Sequence, residues 1–110
     1  MDKETIMKRA ASAAFKNANG QVLRTINILR EKYNKLEIVQ SVLEDSGVGI
    51  SSFTDAVNYL TLEGYVQIRR IDTHAPADIA DTSFRDCEAK VTGKGIKLLA
   101  GSIKDDLIEV

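Results

Sequence analysis

The chain has 110 residues, of which 44% are hydrophobic and 28% are charged, and its net charge at pH 7 is −1. A chain of this length typically forms one domain with a single core, and its apolar content is too high for a disordered protein. No apolar run is long enough to span a bilayer, and no signal-peptide pattern opens the sequence. One cysteine cannot form an internal disulfide, so we expect a cytoplasmic protein without a membrane partner.

Charge is distributed unevenly along this chain. Residues 1–40 carry eight basic and four acidic side chains, whereas residues 41–66 carry four acidic side chains and no lysine or arginine. A basic segment can attract phosphate or an acidic partner. The same side chains can instead form an ordinary solvated face, and the sequence leaves both interpretations open.

The first part of the chain is predicted to form two helices. Apolar residues recur at helical spacing in residues 3–16, with Asp2 as a candidate N-cap, and again in residues 21–34. The dipeptide Asn19-Gly20 is expected to separate them. The segment before it, residues 1–18, is interpreted as an N-terminal helical extension, and residues 19–110 as the main domain.

Two shorter helices are predicted next. Residues 36–46 form a helix with one apolar side made of Ile38, Val39, Val42 and Leu43, and Gly47 suits a left-handed C-terminal cap. Ser52 and Asp55 resemble a weakened capping box for a helix that ends near Glu63. Two short helices joined by a tight turn are typical of a helix-turn-helix.

The spacing of apolar residues then changes from helical to alternating. Residues 65–71 and 84–91 are predicted to form two strands of a hairpin. Our predicted register places Ile68 opposite Cys87 and Val66 opposite Ala89. It also pairs Arg69 with Asp86, and it sets Arg70 directly opposite Arg85.

A last helix is expected to begin at Thr92, a suitable N-cap residue. It would carry an apolar stripe along one side, formed by Ile96, Leu99, Ile103 and Leu107. The apolar tail that follows either folds back on the core or is buried against a second copy.

Two stretches carry a family resemblance: FTDAVNYLTLEGYVQIRR (53–70) and AKVTGKGIKLLAG (89–101). In the first, a helix runs through residues 60–66 into a wing strand; in the second, a wing strand leads through residues 91–95 into the last helix. Together they resemble winged-helix DNA-binding domains. The chain is also similar to the small YjcQ-type proteins of bacteria and their prophages. The resemblance implies a mostly α fold with a small antiparallel β-hairpin (α+β), a winged helix-turn-helix with an extra N-terminal helix and a C-terminal helix.

The resemblance also implies a DNA-binding surface. Residues 52–63 would enter the major groove and residues 65–91 would form the wing, with DNA contacts carried over by position to Thr54, Asn58, Tyr59, Arg69, Arg70 and Arg85. The chain departs from a typical DNA reader because this helix has no lysine or arginine. Moreover, Asp55 and Glu63 would face a polyanion.

Other residues of reactive type do not form a chemical site in the sequence. His74 lies in a loop with Asp72, Asp78 and Asp81, but their spacing matches no known metal site. Cys87 is expected on a buried strand face, where a thiol is inert. The stretch TGKG (92–95) lacks the spacing of a phosphate-binding loop. We therefore predict no enzyme activity, no catalytic or metal-binding residue and no cofactor.

Two functions remain as hypotheses. The first is a DNA-binding transcriptional regulator of a bacterium or prophage, acting as a homodimer through its terminal helices. The apolar stripes for that dimer would be Ile6, Ala10 and Ala14 together with Leu99, Ile103 and Leu107. The second is a protein–protein interaction module that kept the winged fold without DNA binding, favoured by the acidic segment 41–66.

Overall fold

The computed structural model describes residues 2–110. Four α-helices and a three-stranded antiparallel sheet form an α+β fold, which confirms the predicted class. The helices are α1 (Lys3–Asn27), α2 (Leu36–Glu44), α3 (Ile50–Leu62) and α4 (Gly93–Leu99); the strands are β1 (Asn34–Lys35), β2 (Val66–Arg70) and β3 (Cys87–Val91). Within the described residues, no helix combines the length and the hydropathy that crossing a membrane requires.

Helix α1 is a single continuous helix, so the predicted break at Asn19-Gly20 is wrong. Both residues are buried inside the helix, where the end of the chain passes over them. The Asn19 side-chain amide donates a 2.9 Å hydrogen bond to the carbonyl of Leu107. Gly20 leaves room for the backbone of Glu109, which a β-carbon at position 20 would strike. Tertiary packing therefore overrides the local preference of these residues for a turn.

The N-terminal half of α1 extends beyond the core. Its start agrees with the prediction, because the Asp2 carboxylate accepts a 2.8 Å hydrogen bond from the amide of Thr5. We call residues 3–14 the arm: they are exposed along almost their whole length, including Ile6 and Met7. Burial begins at Ala18, and the predicted boundary between residues 18 and 19 lies within this helix. The helix ends at Asn27, seven residues before its predicted end at residue 34.

Helices α2 and α3 form the predicted helical pair. Gly47 adopts φ 88°, the left-handed conformation expected between them. Helix α3 begins earlier than predicted, with Gly49 as its N-cap, so Ser52 lies inside the first turn and does not cap. Helix α2 also faces the core differently: Val39 and Leu43 are buried as expected, but Ile38 and Val42, predicted on the same side, are exposed. Leu36 and Gln40 are buried in their place.

The β2–β3 hairpin is present, but its register differs from the prediction by two residues. Val66 pairs with Val91 and Ile68 with Ala89. A shift of two residues keeps each side chain on its predicted face, since side chains alternate along a strand. The shift occurs because residues 84–86 form a 3-10 turn instead of strand.

The hairpin connection folds back onto the helices. Phe84 is buried with its ring 5.3 Å from that of Phe53, in an edge-to-face arrangement. The sequence analysis also missed β1, a strand of only two residues that pairs with the other side of β3. The resulting strand order is β1-β3-β2.

The C-terminal segment differs most from the prediction. Thr92 caps α4 as expected, its hydroxyl accepting from the amide of Gly95. The helix ends at Leu99, however, and Gly101 then adopts φ 82°, so the predicted helical stripe to Leu107 does not form. Residues 102–110 return across α1, burying Ile108. Of the two outcomes open for this tail, it folds back on the core.

Candidate interaction surface

The outward face of α3 borders a groove. Helix α3 buries Phe53, Ala56, Val57 and Leu60, which turns the side chains of Thr54, Asp55 and Asn58 away from the core. These three residues line an open groove of about 480 Å³, together with Ser51, Ser52, Ile79 and Ala80. We call these seven residues the α3 surface. Ile79 and Ala80 reach it because the β2–β3 connection is anchored by buried Phe84.

Two predicted DNA contacts, Thr54 and Asn58, lie together on this surface. The Thr54 hydroxyl donates to the carbonyl of Ile50 at 3.1 Å, a bond within the helix. Both side chains are half-buried. Among residues 2–110 the Asn58 side-chain amide has no hydrogen-bond partner, so its donor and acceptor are free for a ligand.

The charge around the α3 surface is negative. Asp55 is exposed on it, and Asp78 and Asp81 are exposed in the connection beside Ile79 and Ala80. The Asp78 carboxylate accepts from the amide of Ala80 at 2.9 Å, which shapes this turn. No lysine or arginine occurs between residues 36 and 68. The seven residues of the α3 surface therefore carry one negative charge and no positive charge.

Tyr59, a third predicted DNA contact, lies on a different side of α3. Its hydroxyl donates to the Asp105 carboxylate, with oxygen–oxygen distances of 3.0 and 2.8 Å. Its ring packs edge-to-face on Phe15 at 5.5 Å. Burial, together with the hydrogen bond to Asp105, raises the pKa of Tyr59. The hydroxyl is thus held within the fold.

Asp105 also accepts a hydrogen bond from a second tyrosine. The Tyr65 hydroxyl lies 2.7 Å from its carboxylate, and burial and this bond raise the pKa of Tyr65 to about 12. Burial acts to raise the pKa of Asp105 itself. The hydrogen bonds from the Leu107 amide and the two tyrosine hydroxyls outweigh that effect and lower it.

The predicted wing contacts Arg69 and Arg70 are paired with carboxylates. Arg69 Nε lies 2.6 Å from Glu88 Oε2, and its guanidinium carbon is 3.6 Å from the centre of the Tyr33 ring. Arg70 binds Asp72 through two hydrogen bonds of 3.0 and 3.1 Å. That interaction lowers the pKa of the Asp72 carboxyl.

Arg70 and Arg85 are not opposite each other, so that predicted pairing is wrong. Arg70 pairs with Cys87 in the sheet, and Arg69 is opposite Glu88 instead of the predicted Asp86. Arg85 lies in the 3-10 turn, exposed, with its guanidinium 4.6 Å from the Phe84 ring centre. The register shift of two residues produces both differences.

The remaining reactive side chains are dispersed. His74 Nε2 lies 3.9 Å from Glu88, not among the loop aspartates. Cys87 is buried, and burial raises the pKa of its thiol. Across residues 2–110, no cluster of three or more His, Cys, Asp and Glu side chains is placed to hold a metal ion.

Sequence reasoning thus placed Thr54, Asp55 and Asn58 on the outward face of α3 and missed Ile79 and Ala80, which complete the α3 surface. Ile79 and Ala80 give no sequence signal, because only the folded connection brings them to α3. Glu88 and Asp105, the acceptors for Arg69 and Tyr59, are distant in sequence from the groups they bind. Comparison with protein-family models, curated proteins and solved structures finds no match to this chain.

Proposed function

We propose that this chain is a protein-interaction module of winged-helix architecture, whose α3 surface binds a partner with basic contact residues. The winged-helix assignment is supported by the element order α1-β1-α2-α3-β2-β3 and the strand order β1-β3-β2. A helix-turn-helix followed by a hairpin is the arrangement that the sequence resemblance implies.

One observation carries the choice of a protein partner: the seven residues of the α3 surface include Asp55 and no basic side chain, and the exposed Asp78 and Asp81 flank Ile79 and Ala80. Neutralisation of phosphates by lysine and arginine supplies most of the non-specific affinity for DNA. Two of the arginines that the resemblance implies as phosphate contacts already form ion pairs, Arg69 with Glu88 and Arg70 with Asp72. A basic protein surface would gain from the same charges that repel DNA.

A second candidate, a DNA-binding regulator, is favoured by specific side chains. The free amide of Asn58 has the donor–acceptor pattern that reads an adenine edge, and Thr54 stands one turn before it. Arg85 is exposed beside the aromatic ring of Phe84 and is the wing arginine left for a phosphate. For this candidate, the attraction of these groups to DNA must exceed the repulsion of DNA by the carboxylates around them.

Duplex DNA of mixed sequence distinguishes the two candidates. Fluorescence anisotropy with a labelled duplex would be measured at about 50 mM and about 200 mM salt, since phosphate contacts make affinity strongly salt-dependent. We expect no binding at the lower salt concentration. Binding that weakens steeply with salt, and is lost in Asn58→Ala and Arg85→Ala, would establish the second candidate instead.

A positive test uses a lysine-rich amphipathic helical peptide as the probe. Amide chemical shifts of the labelled full chain should change at Thr54, Asp55 and Asn58 and in residues 78–82. Asp55→Asn together with Asp81→Asn should weaken binding at least tenfold. Asp106→Asn removes an exposed acid of the C-terminal segment, outside both α2 and the α3 surface, and serves as the matched control. Shift changes elsewhere, or equal effects of the two sets of variants, would refute the proposed surface.

A further inference from the structure

A solvent-facing stripe runs along the whole of α1. Alternating steps of four and three residues connect its members: Met7, Ala10, Ala14, Asn17, Gln21, Arg24 and Ile28, the last being the C-cap. Gln21 is half-buried and the other six are exposed. This spacing keeps side chains on one helix face and is the repeat by which helices pair. The core-facing side of α1 is formed separately, by Ala18, Val22 and Ile26.

A groove between α1 and α2 borders the C-terminal half of this stripe. It has a volume of about 320 Å³ and is lined by Gln21, Arg24, Thr25, Ile28, Val42, Leu43 and Ser46. Ile28 is 76% exposed and Val42 55% exposed, and Ile38, one turn before Val42, is 60% exposed. Aliphatic side chains grouped at a groove and left in water indicate a surface that another protein covers. We call this the α1–α2 groove.

The arm carries exposed apolar and basic side chains that could pack against the α1–α2 groove. Ile6 and Met7 are 54% and 61% exposed, and Ala10 and Ala14 continue the apolar face with side chains small enough for close helix packing. The arm also carries Lys3, Lys8 and Arg9 against one glutamate, Glu4, whose carboxylate lies 3.6 Å from Lys8 Nζ. The exposed charges of α2 and its C-cap are all acidic: Glu37, Glu44 and Asp45. Arm and groove therefore match in apolar character. The groove lining itself carries one charge, on Arg24, and the acids Glu44 and Asp45 lie in sequence between the lining residues Leu43 and Ser46.

We propose that the arm of a second copy of this chain occupies the α1–α2 groove, antiparallel to α1, and that the exchange is reciprocal. Two antiparallel α1 helices related by a two-fold axis near Asn17 place the arm of each copy beside the Ile28 end of the other. Helix α1 has 25 residues, about 37 Å at the rise of an α-helix, so one pairing reaches both grooves. The dimer forms through α1 and α2 and leaves the α3 surface free.

A second copy is favoured over an unrelated partner because this chain carries both matching surfaces, the arm and the α1–α2 groove. Asn17, whose side-chain oxygen accepts a hydrogen bond from Gln21 of the same helix, would meet its own symmetry mate at the centre. The apolar arm residues would meet Ile28 and Val42 at both ends. Pairing two arms with each other instead would bring together segments of the same positive charge.

Sedimentation of the full chain tests the proposal. We expect a dimer at concentrations of tens of micromolar, and a monomer for the double variant Ile6→Lys, Met7→Lys. Both side chains are exposed, so circular dichroism should show an unchanged fold. Ser12→Lys, on the arm but outside the stripe, is the matched control and should remain dimeric. A monomeric wild-type chain, or a dimer that survives the double variant, would overturn the proposal.

Cysteine crosslinking tests the direction of pairing. Under mild oxidation Asn17→Cys should form a disulfide-linked dimer, because the two-fold axis brings the two copies of this residue together. Met7→Cys should not, since antiparallel helices hold these positions far apart. A disulfide formed by Met7→Cys would show parallel helices and contradict the groove-bound arm. Native Cys87 is buried and does not interfere.

Charge reversal tests the choice of groove. The double variant Glu44→Lys, Asp45→Lys should raise the dimer dissociation constant about tenfold, and adding Lys8→Glu and Arg9→Glu should restore it. Asp55→Lys, which changes the α3 surface instead, should leave dimerisation intact. Equal weakening by Asp55→Lys would place the arm on the α3 surface and overturn this assignment. Peptide binding and dimerisation are separate readouts, so either proposal can fail alone.

Discussion

The hydroxyl of Tyr65 donates a 2.7 Å hydrogen bond to the carboxylate of Asp105, which joins the start of the hairpin to the C-terminal segment. The same carboxylate accepts from Tyr59 of α3 and from the amide of Leu107. One acidic side chain therefore connects α3, the residue before β2 and the segment that returns over α1.

We expect Asp105→Ala to destabilise the protein by about 2 to 3 kcal/mol, because it leaves several donors without their charged acceptor. Urea denaturation followed by circular dichroism measures the change. Asp106→Ala alters the neighbouring, exposed carboxylate and should change the free energy of unfolding little. Equal losses in the two variants would contradict the role of Asp105.

The two tyrosines make stability depend on alkaline pH. Burial and the bond to Asp105 raise the pKa of both, that of Tyr65 to about 12. A group whose pKa is raised by folding stabilises the folded state below its unfolded value, about 10, and loses that contribution as pH rises through the folded value. Thermal unfolding midpoints should therefore fall between about pH 10 and about pH 12. In Asp105→Asn this fall should begin from a lower midpoint and be shallower.

Gly20→Ala should destabilise the fold although alanine favours helices. A β-carbon at position 20 would overlap the carbonyl of Glu109, so the C-terminal segment must move away from α1. Gly93→Ala, in the first turn of α4, meets no atom within 4 Å and should be neutral or slightly stabilising. Limited proteolysis should cleave residues 102–110 faster in Gly20→Ala alone. Equal cleavage in both variants would rule out displacement of the segment.

Substitutions of Arg69 and Glu88 should have strongly coupled effects on the free energy of unfolding. The side chain of Glu88 is largely buried, so Arg69→Met leaves a carboxylate without its partner and should cost about 3 kcal/mol. The double variant Arg69→Met, Glu88→Met removes both charges and should be more stable than Arg69→Met alone. Chemical denaturation of the single and double variants measures the coupling. A double variant at least as destabilised as the sum of its singles would show that the pair does not act as a unit.

Local patterns in the sequence predicted much of the fold. The glycine turns at Gly47 and Gly64, the cap at Thr92 and the inward faces of both hairpin strands follow from rules that concern neighbouring residues. The predictions failed where the local structure is determined by residues that are distant in sequence. The backbone of Glu109 packs directly on Gly20 within the continuous helix α1, and the ring of Phe84 packs on Phe53 instead of extending the strand.

The candidate site also divides into features that the sequence predicts and features that depend on distant residues. The resemblance, carried over by position, was enough to place Thr54 and Asn58 on the outer face of α3. It could not show that Tyr59 and Arg69 are already bound, because their acceptors lie 46 and 19 residues away. Polar residues on a predicted face are free only if no distant part of the chain reaches them, and that information comes from the fold.

The buried position of Phe84 divides the β2–β3 connection into two parts with different tolerance to added sequence. Residues 72–75 form an exposed tip, where His74 adopts φ 61°. Extra residues there would extend into solvent, as at other loop tips. Extra residues next to Phe84 would pull its ring from Phe53 and open the core. A peptide epitope or fluorescent label for tracking this protein is therefore best inserted between Thr73 and His74.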